Sequence, residues 1–292
     1  MKRIVLSGAG GFLGSHIIKC AAQALVPVLA VTSNTESAAS LGVEAVETDV
    51  FLNDAQPLSE EDVFVNAMFP TNADGFRMAA GLQKTYAVIR AAHGKGAGSV
   101  INISSQSVYA VDREEAAKET DALCLDTPYA TGKYGTEAFC DAVFDTVPHS
   151  NLRLASLIGV GYEQRIINRM VTKALAGEEL QVQGGMQRYG FLDVRDAAAG
   201  IVRMSQTDAA TWKPVYNLGP SDSVTLTEIA QMIVGELQAA GRTASYRIME
   251  GSDRRNSALC ADLFRKDFDW QPGLSVAQTI RDIVQDKLQG AS

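Results

Sequence analysis

The sequence predicts an α/β protein built on a doubly wound parallel sheet, with a smaller α+β lobe toward its C-terminal end. Three observations lead there. Short apolar runs alternate with helix-forming stretches along the first half of the chain. A glycine-rich turn, Gly8 to Gly14, follows the first apolar run directly and opens into a helical stretch. Beyond about residue 155 the alternation loosens into mixed helices and short strands, with no internal repeat and no low-complexity linker.

In order, Ile4-Val5-Leu6 is the first strand, Ser15 to Ala24 the first helix and Val26 to Val31 the second strand, which runs into Thr32-Ser33-Asn34-Thr35. Glu44 to Glu47, ending at Thr48-Asp49, reads as a third strand and Val63-Phe64-Val65 as a fourth. From Phe76 to His93 the apolar positions Met78, Leu82, Tyr86, Ile89 and Ala92 recur at helical spacing, and glycines from 94 to 98 end that helix. Val100 to Ile103 is a fifth strand. The charged stretch 112–126 is a loop, and Thr127-Pro128 starts a helix running to about Thr146, with proline where its missing N–H costs little. Asn151 to Ala155 is a sixth strand. A helix from Arg165 to Leu175, a glycine hairpin at Gly184-Gly185, a strand Phe191 to Val194, a helix Asp196 to Met204, a strand Val215 to Leu218 and helices at 226–239 and 276–288 complete the reading. Residues 1–157 are expected to form a dinucleotide-binding domain to which 191–219 return, with 158–190 and 220–292 forming the substrate lobe.

Composition narrows the function. Hydrophobic residues make up 46% and charged residues 21%, ordinary values for a globular chain, and the net charge of −8 argues against nucleic acid or an anionic membrane as the main partner. Cys20, Cys124, Cys140 and Cys260 form no Cys-x-x-Cys pair, and His16, His93 and His149 have no second ligand type at useful spacing, so reduced thiols and no metal site are expected. Met1-Lys2-Arg3 is followed by too short an apolar run for a signal peptide, which points to the cytoplasm.

The glycine turn is the first candidate site. Gly8 and Gly11 let a pyrophosphate approach the backbone, Gly14 lets the helix pack close to the strand, and the free N–H groups of the helix start favour phosphate. Counted from Gly8 the spacing is Gly-x-x-Gly-x-x-Gly, a pattern an ordinary βα turn can share. Tyr129 and Lys133 form the second, four residues apart on one helix face, where an ammonium would stabilise a phenolate whose free pKa is ~10. Such a tyrosine can take the proton of a substrate hydroxyl while hydride leaves the same carbon. The third is Ser104 to Tyr109, at the exit of the fifth strand, where a serine can hydrogen-bond the reacting oxygen. After the second strand stand Thr32, Ser33 and Asn34, neither acidic nor basic, so NAD is preferred modestly and NADP is not excluded.

On these residues the chain resembles an extended short-chain dehydrogenase/reductase of the nucleotide-sugar epimerase/dehydratase group, over almost its whole length. Gly8-x-x-Gly11-x-x-Gly14 matches the family's cofactor turn, with Phe12 and Leu13 inside it, and Asp49-Val50 matches the pair that contacts adenine. Ser105 falls at the catalytic Ser or Thr, four residues before Tyr109, and Pro128 to Lys133 matches the Pro-Tyr-x-x-x-Lys helix. The resemblance extends to Leu152–Gly161, Gly184–Asp196, Val215–Gly219 and Asp269–Pro272. It implies a Rossmann-type sheet, Ser105, Tyr129 and Lys133 as catalytic residues, a sugar or nucleotide-sugar substrate, and a homodimer built from the helices at 76–93 and 129–146, with Phe139, Val143 and Phe144 available for burial. The chain departs from the family where substrate is read. Ser156 stands for the usual Asn, Ile158 for Tyr and Val160 for Pro. Tyr189-Gly190 replaces the Arg-Asp before Phe191, so the arginine that often grips the diphosphate is missing from its slot; Arg188, Arg165, Arg254 and Arg255 are the candidates to replace it, each equally readable as a solvated surface charge. A non-catalytic NAD(P)-binding sensor on the same fold is the alternative reading.

Overall fold

The computed structural model describes residues 2–70 and 75–290. The elements run β1 (Ile4–Ser7), α1 (Phe12–Gln23), β2 (Val28–Thr32), α2 (Thr35–Ala39), β3 (Glu44–Glu47), α3 (Thr48–Asn53), β4 (Val63–Asn66), α4 (Gly75–Gly94), β5 (Ser99–Ser105), α5 (Pro128–Val143) and β6 (His149–Leu154). They continue with β7 (Ser156–Ile158), α6 (Ile166–Leu175), β8 (Leu180–Gln183), β9 (Arg188–Tyr189), β10 (Phe191–Asp193), α7 (Val194–Ser205), β11 (Val215–Leu218), β12 (Val224–Thr225), α8 (Leu226–Ala239), β13 (Tyr246–Met249), α9 (Asp262–Phe268) and α10 (Val276–Gly290).

Seven strands form one parallel sheet in the order β11-β6-β5-β4-β1-β2-β3. This is the doubly wound Rossmann-type architecture the alternation predicts, and its order reverses between β1 and β4, where the carboxyl ends of the strands open a crevice. Strand side chains alternate between two cores. Ile4, Leu6, Val63 and Val65 meet α1 and α7 on one face through Ile17, Ile18, Ala197 and Ile201. Val5, Phe64 and Val100 meet α4 and α5 on the other through Val88, Ile89, Cys140 and Phe144. Burial on both faces is why these strands read as continuous apolar runs.

A row of polar side chains crosses four central strands, at the carboxyl ends of β1 and β4 and in the middle of β5 and β6. Ser7 donates to Asn66 at 2.8 Å, Asn66 to Asn102 at 2.9 Å and Asn102 to Asn151 at 2.8 Å, each pair being register partners. A one-residue slip would leave these buried amides without partners, so the row fixes the register of four strands. A third core joins α6, α8 and α10 through Ile167, Val171, Ile229, Ile233, Ile280 and Ile283.

Several local expectations change. Thr48 and Asp49 do not end a strand but open α3. Gly184 and Gly185 do not close a hairpin: both take the left-handed backbone (φ +68 and +77), but β8 pairs in parallel with β13 while β9 pairs with β12.

Candidate active site

The glycine turn leaves β1 at the switch point, and two of its residues are glycine for steric reasons. Gly8 has φ +74, and a Cβ there would lie 2.7 Å from the backbone of Ala67 and Met68 leaving β4. A Cβ on Gly14 would lie 2.2 Å from the Gly8 carbonyl oxygen, so the helix can pack this close only without a side chain. Gly11 caps α1 with no side-chain acceptor, and the first turn carries no acidic residue. The N–H groups at that end therefore face the crevice uncompensated, as an anionic pyrophosphate requires.

The crevice is a cleft of about 710 Å³. It is lined by Gly8, Gly10, Gly11, Phe12, Leu13 and Gly14 of the turn, by Thr32, Ser33 and Asn34 after β2, and by Ser105, Tyr129, Lys133 and Ser156. The expected residues of the turn, the β2 exit and the catalytic trio thus share one cavity. Asn34 spends its side-chain oxygen on capping α2 through the Ser37 N–H at 3.0 Å, and Thr32 accepts the Asn34 N–H at 3.1 Å. Ser33 and the Asn34 amide nitrogen remain as neutral donors.

Strand and helix geometry separate the two neighbouring serines. Ser104 points inward to Glu137 and is buried. Ser105, at the strand end, lines the cleft together with Tyr129 and accepts the Ser107 hydroxyl at 3.0 Å. Burial pushes the Tyr129 phenol above its ordinary value, while the Ser105 hydroxyl and the Arg165 charge both pull it down. The expectation that Lys133 depresses the phenol is corrected here. The Lys133 ammonium donates instead to the Ile103 carbonyl at 2.9 Å and sits 4.1 Å from the centre of the Phe69 ring. Burial drives its pKa down to about 7, against the opposing charge of Glu137 one turn further on.

Beneath the site lies a polar network that the sequence reading missed. Arg153 pairs with Glu137 at 2.7 Å and donates to the Tyr109 hydroxyl at 2.8 Å, which in turn donates to Asn217 at 2.9 Å. These groups are buried and mutually satisfied, so they hold β5, α5, β6 and β11 in one arrangement. Phe69 and Tyr162 were also missed. The Phe69 ring meets that of Tyr129 edge-on at 5.2 Å, and Tyr162 stacks on Phe12 at 4.0 Å. The signal for Phe69 was its place three residues beyond β4 at the switch point.

Five expected site residues are not brought to the cleft. Asp49 and Val50 lie on α3 outside its lining, the Asp49 carboxylate pairing with Lys84 at 3.0 Å, while Thr48 and Lys84 take the lining positions. Arg188 is exposed on β9 near Ser223. Arg255 pairs with Asp253 at 2.8 Å, and Arg254 is exposed beside it. None of the three arginines is among the residues that line the cleft. Of the four candidates to replace the missing arginine, Arg165 alone lines it.

Sheet order, glycine cradle and the Ser-Tyr-Lys group define a dinucleotide-dependent enzyme of the extended short-chain dehydrogenase/reductase type. The chain belongs to the NAD dependent epimerase/dehydratase family, whose model matches residues 4–219. It is 25% identical over 313 residues to a dTDP-4-dehydro-6-deoxy-D-allose reductase from Streptomyces bikiniensis, covering 93% of this chain and 92% of the relative. Among solved structures it is similar to a UDP-N-acetylglucosamine 4-epimerase from Bacillus cereus, with TM-score 0.83 and 18% identity over 98% of this chain and 96% of that one. A UDP-glucose-4-epimerase from Stenotrophomonas maltophila, solved with NAD and formylated UDP-arabinopyranose, gives TM-score 0.83 and 18% identity over 100% and 99%. At these identities the solved structures establish the fold.

Proposed function

We propose that the enzyme oxidises a carbinol, or reduces the corresponding carbonyl, of a sugar or nucleotide sugar by hydride transfer, as an epimerase, dehydratase or dehydrogenase. The observation that carries this reading is that Ser105, Tyr129 and Lys133 line the same cleft as the glycine turn. NAD supplies the hydride acceptor or donor, and the cleft fits it through the Gly8 to Gly14 cradle and the uncapped start of α1. Thr32, Ser33 and Asn34, which line the cleft at the end of β2, would hold its adenosine ribose.

Tyr129 exchanges the proton of the reacting hydroxyl, and Ser105 hydrogen-bonds the same oxygen and shares its developing charge. Because burial holds the phenol in its protonated form, Tyr129 is poised as the acid of the reducing direction and needs a nearby positive charge to act as base. Lys133 lies one helical turn from Tyr129, where it can bond the nicotinamide ribose and keep the phenol oriented. Epimerase and reductase names among similar proteins support the substrate class. A non-catalytic sensor would have no use for a phenol, a hydroxyl and a buried lysine brought together in this cleft.

The test is turnover screening of sugars and nucleotide sugars with NAD and with NADH, following nicotinamide absorbance and product stereochemistry. Turnover of at least one sugar substrate supports the reading. Cofactor binding without turnover of any would favour the sensor.

A further inference from the structure

Tyr129, Lys133 and Glu137 stand four residues apart on α5 and so share one face of it over two turns. The Glu137 carboxylate meets the sheet at the row beneath Ser105. It accepts the Ser104 hydroxyl of β5 and two donors of Arg153 on β6, Nε at 3.0 Å and Nη2 at 2.7 Å, and Ser104 and Arg153 are themselves register partners. The remaining arm of the guanidinium, Nη1, donates to the Tyr109 hydroxyl at 2.8 Å. Ser105 and the short helical turn after it, Gln106–Val108, therefore run between two residues held by one ion pair, Ser104 through the carboxylate and Tyr109 through the guanidinium. Ser104, Tyr109, Glu137 and Arg153 are 2%, 2%, 2% and 4% exposed, so these bonds are shielded from water.

A buried ion pair is a poor means of merely joining two elements, since apolar side chains of similar volume are often as stable or more so. What apolar side chains lack is direction: they would pin neither the Ser104 hydroxyl nor the Tyr109 phenol at a set distance and angle. We propose that Glu137 and Arg153 are positioning residues of the active site, a clamp that grips both ends of the segment 104–109 and so fixes the Ser105 hydroxyl against the Tyr129–Lys133 face of α5. The proposal rests on the hydride-transfer reading above, in which Ser105 and Tyr129 converge on one oxygen. It assigns the precision of that convergence to two side chains outside the cleft lining. Tyr109 is anchored in turn, donating to Asn217 of β11 at 2.9 Å, so the clamp has a fixed point beyond the site.

The test compares wild type with Glu137→Leu/Arg153→Met, in which apolar side chains replace the whole pair, because either change alone leaves a buried charge uncompensated. The double variant is expected to fold with an unfolding midpoint close to that of wild type. Its kcat should fall by roughly 10- to 100-fold, the cost of misplacing a reacting group by about 1 Å, while substrate KM and NAD affinity stay within about twofold. Arg153→Lys keeps the charge but not the fork of donors, and its kcat should lie between the two, about 3- to 10-fold below wild type. Crystal structures of wild type and the double variant with NAD read the clamp without turnover: Ser105 should move by about 1 Å relative to Tyr129 when the pair is removed. Wild-type kcat in the folded double variant, a loss confined to KM or NAD affinity, or an unmoved Ser105 would overturn the proposal. If the double variant does not fold, Arg153→Lys decides, and wild-type kcat in it would overturn the proposal as well. If wild type turns over no sugar, the hydride-transfer reading fails, and the two structures still decide whether the pair holds Ser105 in place.

Discussion

Lys133 is an ammonium with almost no water around it, held by one carbonyl and one aromatic face. With a folded-state pKa of about 7 against an ordinary lysine value of ~10.4, the unfolded chain carries a proton between those limits that the folded chain has lost. Stability therefore rises with pH across that window, by at most about 1.4 kcal/mol per pH unit, and the contribution levels off below about 7. Denaturant unfolding of the protein without cofactor at pH 6, 7, 8 and 9 should show wild type gaining on Lys133→Met only above pH 7. A stability difference that stays constant with pH would contradict the burial argument. Tyr129 and Lys133 were legible in the sequence as a four-residue helical spacing, whereas the strand exit alone left Ser104, Ser105 and Ser107 open and Ser105 was singled out by the family resemblance. Which of Arg165, Arg188, Arg254 and Arg255 lines the cleft was not legible, because it depends on contacts between segments far apart in the chain, such as the pairing of Arg188 on β9 with Thr225 on β12.

At the scale of elements, the turn between β1 and α1 does two jobs with backbone alone: it passes under the β4 exit and exposes the helix start. Gly14→Ala places a methyl 2.2 Å from the Gly8 oxygen and 2.8 Å from the Ala9 Cα, contacts that only a backbone shift can relieve. We expect a loss of about 1–3 kcal/mol in stability and a weaker NAD complex, because the shift moves the donors of α1. An alanine variant with unchanged unfolding midpoint and NAD affinity would show that the close approach is not needed. Apolar runs revealed the central strands because all but the edge strand β3 are largely buried. They revealed β10 but not its partner β7, nor the ladders β9–β12 and β8–β13, whose two to four residues are too few to carry a pattern. Thr48 and Asp49 were misread for a related reason: the chain passes from β3 into α3 without a glycine or proline to mark the change.

At the scale of the molecule, the cleft decides cofactor choice and the outer helices decide assembly. Ser33 and Asn34 offer neutral donors after β2, and Lys84, the lysine near Thr48, is committed to Asp49. NAD should bind more tightly than NADP by on the order of 1 kcal/mol in calorimetric titration, because a 2′-phosphate would find no free cation there. Tighter binding of NADP would mean that Lys84 abandons Asp49 for the phosphate. We also propose the homodimer expected from the family resemblance, through α4 and α5, where Tyr86 stacks on Phe139 at 4.5 Å and Phe76 is 87% exposed. Light scattering at micromolar concentration should give twice the chain mass of 31.2 kDa, and a monomer would contradict it. The central claim is that this cleft moves a proton through one phenol while NAD moves the hydride. Its most direct test is the turnover of Tyr129→Phe with the substrate found by screening, measured beside its NAD affinity. The account predicts a fall in turnover of roughly 10²- to 10⁴-fold with NAD affinity unchanged within about twofold. Near-normal turnover in the variant would contradict it.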